Sequence, residues 1–441
     1  MGKEQGITGY PSLARARFAQ IVVAAIGLFA AVDITVVGLL IEPMKHELGL
    51  TDVQVGLVHT TSFFAAYGLF AIPMGMLADR CRRVRLMLVA MVLWCAGLML
   101  VGLSHDRWLL AAAKAVMGLA LALTYPAAMS LMADNFAPDR RAFASATFGV
   151  GQDLGGGAGL LVGGIGYSAL VGMVALNPHA LGGISPWRAV SLIFAAFGLL
   201  LIPAILALRE PARMEMRSTG SSGSFRALWN YRRFLIPLFV GMMALGGLVS
   251  GLRTWCAPAL MRLYELQPGD FASWLSAVML ISGLAGHLLS SRLVNMARGR
   301  GGDQTAMLLA AIAAVLCIPG SFLATTSDTW GFAALMSLFM VASGVAVSIP
   351  VIVINFRIPN ELRGLCMGLY VVLISLSGMI GAPLIGYANQ RLGGDATLGE
   401  AMALVGGPFA LLAALSFWVA TWSWAAAPPI AHDAQNEMPA P

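Results

Sequence analysis

GMLADRCRRVRL, Gly75 to Leu86, is a short basic segment that separates two long apolar runs. It contains one aspartate and four arginines, whereas the flanking runs 54–78 and 84–103 are almost free of charge. Each run is long enough to cross about 30 Å of hydrocarbon as an α-helix, which needs roughly 20 apolar residues. The segment therefore predicts a tight turn between two membrane-spanning helices, on the side of the bilayer that retains positive charge.

Similar apolar runs recur along nearly the whole chain. Of its 441 residues, 59% are hydrophobic and 11% charged, and the mean hydropathy is +0.81. Such a chain is far more apolar than a soluble protein needs to be to fill its core. We predict an all-α integral membrane protein with twelve transmembrane helices, at 18–41, 54–78, 84–103, 108–133, 141–171, 187–208, 234–261, 271–291, 304–324, 330–354, 364–389 and 401–425.

Positive charges alternate along the predicted loops. The N-terminus and every second loop, with the adjoining helix ends, hold 20 of the 27 Lys and Arg residues. The other loops and helix ends hold five, and only Lys114 and Arg253 lie deep inside spans. Because loops rich in Lys and Arg stay on the cytoplasmic side, we expect both termini in the cytoplasm and the chain in the inner (plasma) membrane. The net charge of +6 is then explained by the orientation of the chain in the lipid membrane, and a nucleic-acid partner is not expected. We also expect the protein to be a monomer.

The chain divides into two similar halves. The longest polar interruption, 210–233, has a Ser/Gly-rich centre typical of a flexible linker, and six predicted spans lie on each side of it. Two similar segments follow the fourth and the tenth span: MADNFAPDRRAFA (Met132 to Ala144) and VINFRIPNELRGLCM (Val353 to Met367). Both contain Asn-Phe, then Pro, then the Arg that opens the next helix. We predict two pseudosymmetric six-helix halves, with the segments 1–17 (N-terminus), 18–209, 210–233 (linker), 234–425 and 426–441 (tail).

Several stretches carry a family resemblance. GMLADRCRRVRL resembles the signature between the second and third helices of the major facilitator superfamily, and the half-repeat extends that resemblance over nearly the whole chain. Within the superfamily the chain is similar to the bacterial Spinster-like branch in VDITVVGLLIEPMKHELGLTDVQVGL, LTYPAAMSLMADNFAPDRRA and LRTWCAPALMR. The resemblance implies two six-helix halves around a central cavity and transport by alternating access.

The resemblance also implies a role for the basic segment. In that family the aspartate and its arginine partners latch helices together on the cytoplasmic side and bias the protein towards its outward-facing state. We assign this role to a cytoplasmic gate motif that consists of Gly75, Asp79, Arg80, Arg83, Arg140 and Arg141. The preference of Lys and Arg for cytoplasmic loops would by itself explain the arginines. It does not explain why Gly75 and Asp79 stand at the motif's spacing from them.

Charged side chains inside the spans are the main candidates for a transport site. A charge in mid-membrane costs about 2.5–3.5 kcal/mol on insertion scales, so it should face a cavity or a partner. At 1.5 Å per residue, Asp33 and Lys114 lie roughly 14 and 11 Å below the outer ends of their spans. In the superfamily fold both helices line the cavity, so we predict an Asp33–Lys114 ion pair. The pair would either bind substrate or a proton, or only hold the two helices together.

Arg253 is a third candidate, in the outer half of the seventh span. A guanidinium can bind a carboxylate or phosphate, and the indole of nearby Trp255 can cover an apolar body, which suits an amphipathic anion. The alternative is a snorkelling arginine beside an interfacial tryptophan. Further candidates for the cavity wall are Tyr67, Tyr125, Gln152 and Tyr370. His59 and His287 receive no role, because a lone helical histidine is more often simply hydrogen-bonded.

The fifth span contains GVGQDLGGGAGLLVGG, Gly149 to Gly164, in which a carboxylate lies within a glycine-rich membrane segment. Glycines at every fourth position predict a small-residue packing ridge on one helix face, formed by Gly151, Gly155, Gly159 and Gly163. At about 100° per residue, Asp153 points roughly 140° away from that ridge. We predict that Asp153 is a proton-coupling or substrate-gating carboxylate. The alternative is a protonated aspartate that hydrogen-bonds to a neighbouring helix.

No enzymatic motif competes with transport. The sequence lacks a Gly-Lys-Ser/Thr phosphate loop, a spaced Cys/His metal set and a Gly-x-Ser-x-Gly elbow, so we expect no ATP-driven pumping, hydrolysis, metal or other cofactor. A gradient should then supply the energy. The sequence predicts a secondary transporter that moves a small amphipathic or organic anion by alternating access, coupled to protons. A uniporter or multidrug-type exporter is the close alternative, and a membrane sensor without transport is the alternative from another class.

Overall fold

The computed structural model describes residues 10–213, 225–298 and 302–422, and all regular structure in these ranges is helical. Twelve of the helices are long and apolar enough to cross a membrane, so the protein is a multi-pass membrane protein. Short helices at Ile41–Leu48 and Phe225–Trp229 lie between them. We label the spans α1 to α12, in chain order Leu13–Leu39, Asp52–Arg80, Arg83–Leu103, Arg107–Asn135, Thr147–Leu176, Pro186–Leu206, Arg232–Leu263, Pro268–Ala297, Gln304–Thr325, Thr329–Arg357, Glu361–Leu392 and Asp395–Trp422.

The prediction of twelve spans is confirmed, and only the ends of the helices differ. The first span begins at Leu13 rather than at residue 18, and the fifth extends to Leu176 rather than to residue 171. The linker predicted at 210–233 contains the short helix Phe225–Trp229. Its central part and the tail predicted at 426–441 lie outside the described residues. The division into domains stays a prediction.

Helix packing repeats from one half to the other. In the first half α1 packs on α5, α2 on α4, and α3 on α4 and α6. The same pairs recur six helices later, as α7 on α11, α8 on α10, and α9 on α10 and α12. The halves meet mainly along α2 with α11 and α5 with α8. We call the end of the bundle at which α1 begins and α12 ends the inner end, and the opposite end the outer end.

The four glycines of the predicted ridge lie against α1. An added Cβ at Gly151 or Gly155 would lie 2.2 Å from a backbone carbonyl oxygen of α1, and one at Gly159 would lie 2.6 Å from the next. Their neighbours on α1 follow the same four-residue spacing: Ala24, Leu28, Val32 and Val36. Because no Cβ fits between the helices, α1 and α5 approach at backbone distance, as small-residue stripes permit in membranes.

Gly155→Ala should lower the melting temperature of the purified protein by several degrees. The new Cβ would lie 2.2 Å from the Leu28 carbonyl oxygen, so two backbones must separate, and overpacking of this kind costs about 1–3 kcal/mol. Gly149→Ala is the matched control on the same helix, because a Cβ there has no atom within 4 Å. Equal melting temperatures for the two variants would contradict this account of the α1–α5 contact.

One turn of α2 is a π-helix, Leu57–Thr61. Isolated π-turns in α-helices often occur at functional sites. Here the turn is fastened to the other half, because the Thr61 hydroxyl donates to the carbonyl oxygen of Met379 on α11 at 2.7 Å. Just before it, Gly56 packs on the backbone of Pro383, where a Cβ would lie 2.6 Å away. The π-turn therefore lies beside a close backbone contact between α2 and α11.

Labelling with a membrane-impermeant maleimide should place Asn177 outside the cell and Cys81 inside. Asn177 caps the outer end of α5, whereas the exposed Cys81 follows the inner end of α2. Asn177→Cys, with Cys81 replaced by serine, should react in intact cells, while native Cys81 should react only in inverted vesicles. The reverse pattern would overturn the orientation expected from the basic loops.

Candidate functional site

A cavity of about 320 Å³ lies between the two halves. Side chains of α1, α2, α4 and α5 line it from the first half, and those of α7, α8, α10 and α11 from the second. Most of the lining is apolar, with aromatic rings such as Phe63 and Phe64. Of the nine residues predicted for the site, four line this cavity: Asp33, Lys114, Arg253 and Tyr370. They come from α1, α4, α7 and α11, so both halves contribute.

Asp33 and Lys114 face the same cavity without forming the predicted ion pair. Both residues are buried, at 1% and 3% exposure, and their charges interact electrostatically. The hydrogen-bond donor to Asp33 is instead the indole N–H of Trp94 on α3, at 3.1 Å from Oδ2. Among the described residues, no carboxylate lies within 4.0 Å of the Lys114 ammonium. The two side chains therefore interact without a direct contact in this conformation, and Trp94, which was not considered from the sequence, supplies a donor to the carboxylate. The shared role of Asp33 and Lys114 stays a prediction.

Arg253 reaches across the cavity from α7 towards the first half. Its Nη2 lies 3.6 Å from the position a Cβ would take at Gly156 of α5, and Thr35 of α1 lies beside the same point. The side chain is exposed to the cavity. Within the described ranges its guanidinium forms no hydrogen bond or salt bridge. Arg253 and Lys114 therefore present two cationic groups with open donor positions to one cavity.

Trp255 does not belong to the cavity wall. It is fully buried, and its indole N–H donates to the carbonyl oxygen of Ala382 on α11 at 2.9 Å. Two residues along an α-helix correspond to about 200°, so Trp255 faces away from the side that Arg253 presents. The predicted partnership of the two residues was wrong for this reason. Trp255 packs α7 on α11 instead.

The predicted tyrosines form a group at the edge of the cavity. Tyr370 of α11 lines it, and its hydroxyl lies close enough to interact electrostatically with those of Tyr67 on α2 and Tyr125 on α4. Tyr125 is 43% exposed and its ring packs edge-on against Phe148. Tyr67 and Tyr125 are not among the lining residues, and neither is Gln152, which is half-buried.

Asp153 lies on the side of α5 opposite α1, at the boundary with the second half. Its Oδ2 is 3.8 Å from Nε2 of His287 on α8, and both side chains are half-exposed. The carboxylate also interacts electrostatically with Arg253. Asp153 is therefore outside the cavity lining but next to one of its cations.

The basic segment is organised around Arg83, the buried first residue of α3. Its guanidinium binds the carboxylate of Asp134 on α4 and donates to Glu210 at 2.7 Å. Arg83 and Asp134 belong to the first half, and Glu210 is the first residue of the predicted linker. The other members of the proposed gate motif differ: Asp79, Arg80 and Arg140 are exposed, a Cβ at Gly75 has no atom within 4 Å, and the Arg141 side chain lies outside the described residues.

A second charged cluster, absent from the sequence analysis, joins the halves at the outer end. Arg262 at the end of α7 donates to Glu42 at 2.6 Å and to Asp52 at 3.0 Å, and also lies 3.0 Å from Asp395. Lys45 bridges Asp52 and Asp395, at 2.9 Å from each. We call these five residues, with Asn389, the outer network; the amide of Asn389 donates to Asp52 at 2.6 Å.

The outer network joins the two halves at the outer end of the cavity. Glu42, Lys45 and Asp52 come from the first half, and Arg262, Asn389 and Asp395 from the second, so each ion pair between these sets holds the halves together. Side chains at the inner part of the boundary are more accessible. The side chains of Asp153 and His287 are 35% and 47% exposed. The described conformation is therefore closed at the outer end.

Comparisons with known proteins agree with this architecture. The family model described as Major Facilitator Superfamily matches residues 23–382. An MFS-type efflux pump of Mycolicibacterium smegmatis is 26% identical, with 91% of each chain covered, and the sialic acid transporter NanX of Escherichia coli is 22% identical, with 83% and 85% covered. A bacterial homolog of the human lysosomal transporter Spinster, solved inward-facing and unoccupied, superposes with a TM-score of 0.78, 19% identity, and 94% and 98% of the chains covered.

Proposed function

Since the chain belongs to the Major Facilitator Superfamily and is a membrane transporter, we propose that it moves a small amphipathic organic anion by alternating access. The observation that carries this proposal is the pair of cations in the cavity. Lys114 and Arg253 face a mostly apolar space of about 320 Å³. Neither has a salt-bridge partner within 4.0 Å among the described residues. A substrate with one anionic group and an apolar body would satisfy both features.

The charge balance of the cavity favours an anion over a cation. Asp33 is the carboxylate in the lining, and Trp94 already donates to it. The lining itself holds two cations and one carboxylate, while Asp153, which interacts with Arg253, lies outside the lining. The cationic groups on the cavity side therefore lack a direct partner in a low-dielectric site, where an unpaired charge is costly. An anionic substrate supplies the missing partner. Arg253 can bind it in bidentate fashion, while Lys114 acts as a point charge.

The relatives support different parts of the proposal. NanX is named as a sialic acid transporter, which is compatible with an organic acid as substrate. The relative from Mycolicibacterium smegmatis is named as an efflux pump, which supports the alternative of a multidrug-type exporter. The apolar lining with Phe63 and Phe64 is the observation in this chain that favours that alternative. A uniporter, or a sensor that binds without transport, is the remaining alternative.

Proton coupling and gating complete the proposal. No enzymatic energy source is expected, so a proton gradient drives the cycle, with Asp153 as the coupling carboxylate. The outer network closes the cavity on one side, and the gate motif around Arg83 acts at the inner end. We place the monomer in the inner membrane, with the inner end in the cytoplasm, from the distribution of Lys and Arg in the loops.

The test is a screen followed by a flux assay. Purified protein is first melted with matched pairs of small organic anions and neutral analogues, such as toluenesulfonate and toluenesulfonamide. Radiolabelled hits are then followed in proteoliposomes with and without a pH gradient. Accumulation that requires the gradient supports the proposal. Equilibration without accumulation indicates a uniporter, binding without flux a sensor, and stabilisation by neutral or cationic drugs but not by anions refutes the anion site.

A further inference from the structure

Asp153 and His287 meet across the boundary between the two halves. Asp153 Oδ2 on α5 lies 3.8 Å from His287 Nε2 on α8. The other ring nitrogen, Nδ1, is 3.0 Å from the hydroxyl of Ser348 on α10. Three helices therefore contribute to one carboxylate–imidazole–hydroxyl chain. Because a hydrogen bond to one ring nitrogen orients the imidazole, Ser348 holds His287 in position towards Asp153.

Arg253 connects this chain to the cavity. Its Nη2 lies 3.6 Å from the Cβ position of Gly156, and Gly156 is three residues beyond Asp153, on the same helix face. The guanidinium and the Asp153 carboxylate interact electrostatically, while the same guanidinium faces the cavity. A group that neutralises Arg253 from the cavity side therefore changes the field at Asp153.

The contact between Asp153 and His287 is not explained by a role in holding the two halves together. Both side chains are half-exposed, and exposed ion pairs contribute little to stability. One turn further along α5, the contact with α8 is already made by closer groups. The Ser276 hydroxyl donates to the Gly157 carbonyl oxygen at 2.7 Å, and a Cβ at Gly157 would lie 3.2 Å from Leu280. The Asp153–His287 pair is therefore not needed for packing, and its partly uncovered side chains can exchange protons when the boundary between the halves is hydrated.

Other charges on helices packed against α5 and α8 act elsewhere. Asp33 and Lys114 interact with each other, Arg188 binds Glu47 at the outer end, and Arg357 lies over the ring of Phe234. The groups that act on the Asp153 carboxylate are His287 and Arg253. Protonation of the pair therefore depends on the burial of Asp153, on one internal partner and on the cation that the cavity also uses.

We propose that Asp153 and His287 form a single proton-binding site, oriented by Ser348, and that Arg253 links its occupancy to the anion in the cavity. This inference rests on the proposed anion transport. With Arg253 free, its positive charge favours the ionised carboxylate. When an anion occupies Arg253, that charge is neutralised, and the pair takes up one proton from water at its exposed side. By thermodynamic reciprocity, the proton and the anion then strengthen each other's binding.

The experiment measures proton uptake when toluenesulfonate binds to the full chain in detergent. A sulfonate stays ionised between about pH 5 and pH 8, where histidine titrates, so any proton taken up belongs to the protein. The wild type should take up about one proton per anion, and its affinity should fall up to about tenfold per pH unit as the pH rises. A pH indicator in weak buffer and calorimetry at several pH values give the two readouts.

Variants assign the proton to the pair. Asp153→Asn and His287→Gln should each bind toluenesulfonate with an affinity independent of pH and with little proton uptake. Ser348→Ala should retain uptake but shift the pH at which it occurs. The matched control is His46→Gln, because His46 lies 3.7 Å from the carboxylate of Glu42 in a similar pair at the outer end. This control should behave as the wild type does.

The outcomes separate this inference from the proposed function. Absence of anion binding to the wild type would contradict the anion site itself. Anion binding without proton uptake would leave the proposed transport standing and overturn the link. Unchanged uptake in Asp153→Asn or His287→Gln would also overturn it, and if one of these variants fails to fold, the other decides.

Discussion

Lys114→Met and Arg253→Met should each weaken binding of the anionic substrate on the order of 100-fold, because loss of one partner of a buried charge interaction costs about 2–5 kcal/mol. Both substitutions retain a long apolar stem, so the cavity keeps its volume while it loses one cation. Transport in proteoliposomes should fall to background. The measurement is binding of the anion found by the screen, compared with its neutral analogue, whose binding should change little.

Arg107→Met is the matched control for this prediction. Arg107 lies on α4, as Lys114 does, but it is at the outer end of the helix and stacks on the exposed ring of Trp108, 5.2 Å from the centroid. The Arg107→Met substitution removes one positive charge, as Lys114→Met does, but at a position outside the cavity. Equal losses in Arg107→Met and Lys114→Met would show that net charge, and not the cavity, controls binding. Asp33→Asn combined with Lys114→Met should lose less than the sum of the single changes, because it removes both interacting charges.

Arg262→Met should open the outer end. The substitution leaves Glu42 and Asp52, both at most 5% exposed, without their guanidinium partner, and breaking a buried ion pair in this way typically costs about 3–5 kcal/mol. Separation of the halves would hydrate these carboxylates, so the equilibrium should shift towards the outward-facing state. Cys256 lines the cavity and is 1% exposed, so it can report the shift.

With Cys256 as the single cysteine, labelling from outside by an impermeant maleimide should accelerate at least tenfold, or about 1.4 kcal/mol. Arg391→Met is the control, because Arg391 also lies at the outer end but contacts Tyr387 on its own helix, at 3.1 Å from the hydroxyl. It removes an outer arginine without breaking a contact between halves. Unchanged labelling in Arg262→Met would mean that the outer network does not keep the cavity closed.

The sequence was sufficient for the fold and for three of the charged residues that line the cavity. Apolar runs of the right length predict twelve spans, and the charges Asp33, Lys114 and Arg253 inside such runs stand out against the cost of burying them. Their location in one cavity follows from the order of helices in the family. Their direct partners do not, because the donor to Asp33 comes from Trp94, a residue typical of any apolar span.

The outer network could not be recognised from the sequence. Its members lie in loops or at helix ends, where charges are common, and Glu42 and Arg262 are 220 residues apart. Only the approach of the two halves makes them neighbours. The same holds for His287, which is unremarkable as a lone histidine until the fold brings it to Asp153. For Trp255 the prediction failed in another way, because its closeness to Arg253 in the sequence was taken to mean that both residues lie on the same helix face.

The π-turn in α2 sets the rotational phase of the helix segment that precedes it. A π-turn contains one residue more than an α-turn, and one residue corresponds to about 100° around the helix axis. If Leu57–Thr61 became α-helical with all its residues kept, the segment before it would rotate by about 100° and Asp52 would move away from Arg262 and Asn389. The extra residue of this turn thus sets the orientation of the outer end of α2, which carries Asp52, relative to the part of α2 that lines the cavity.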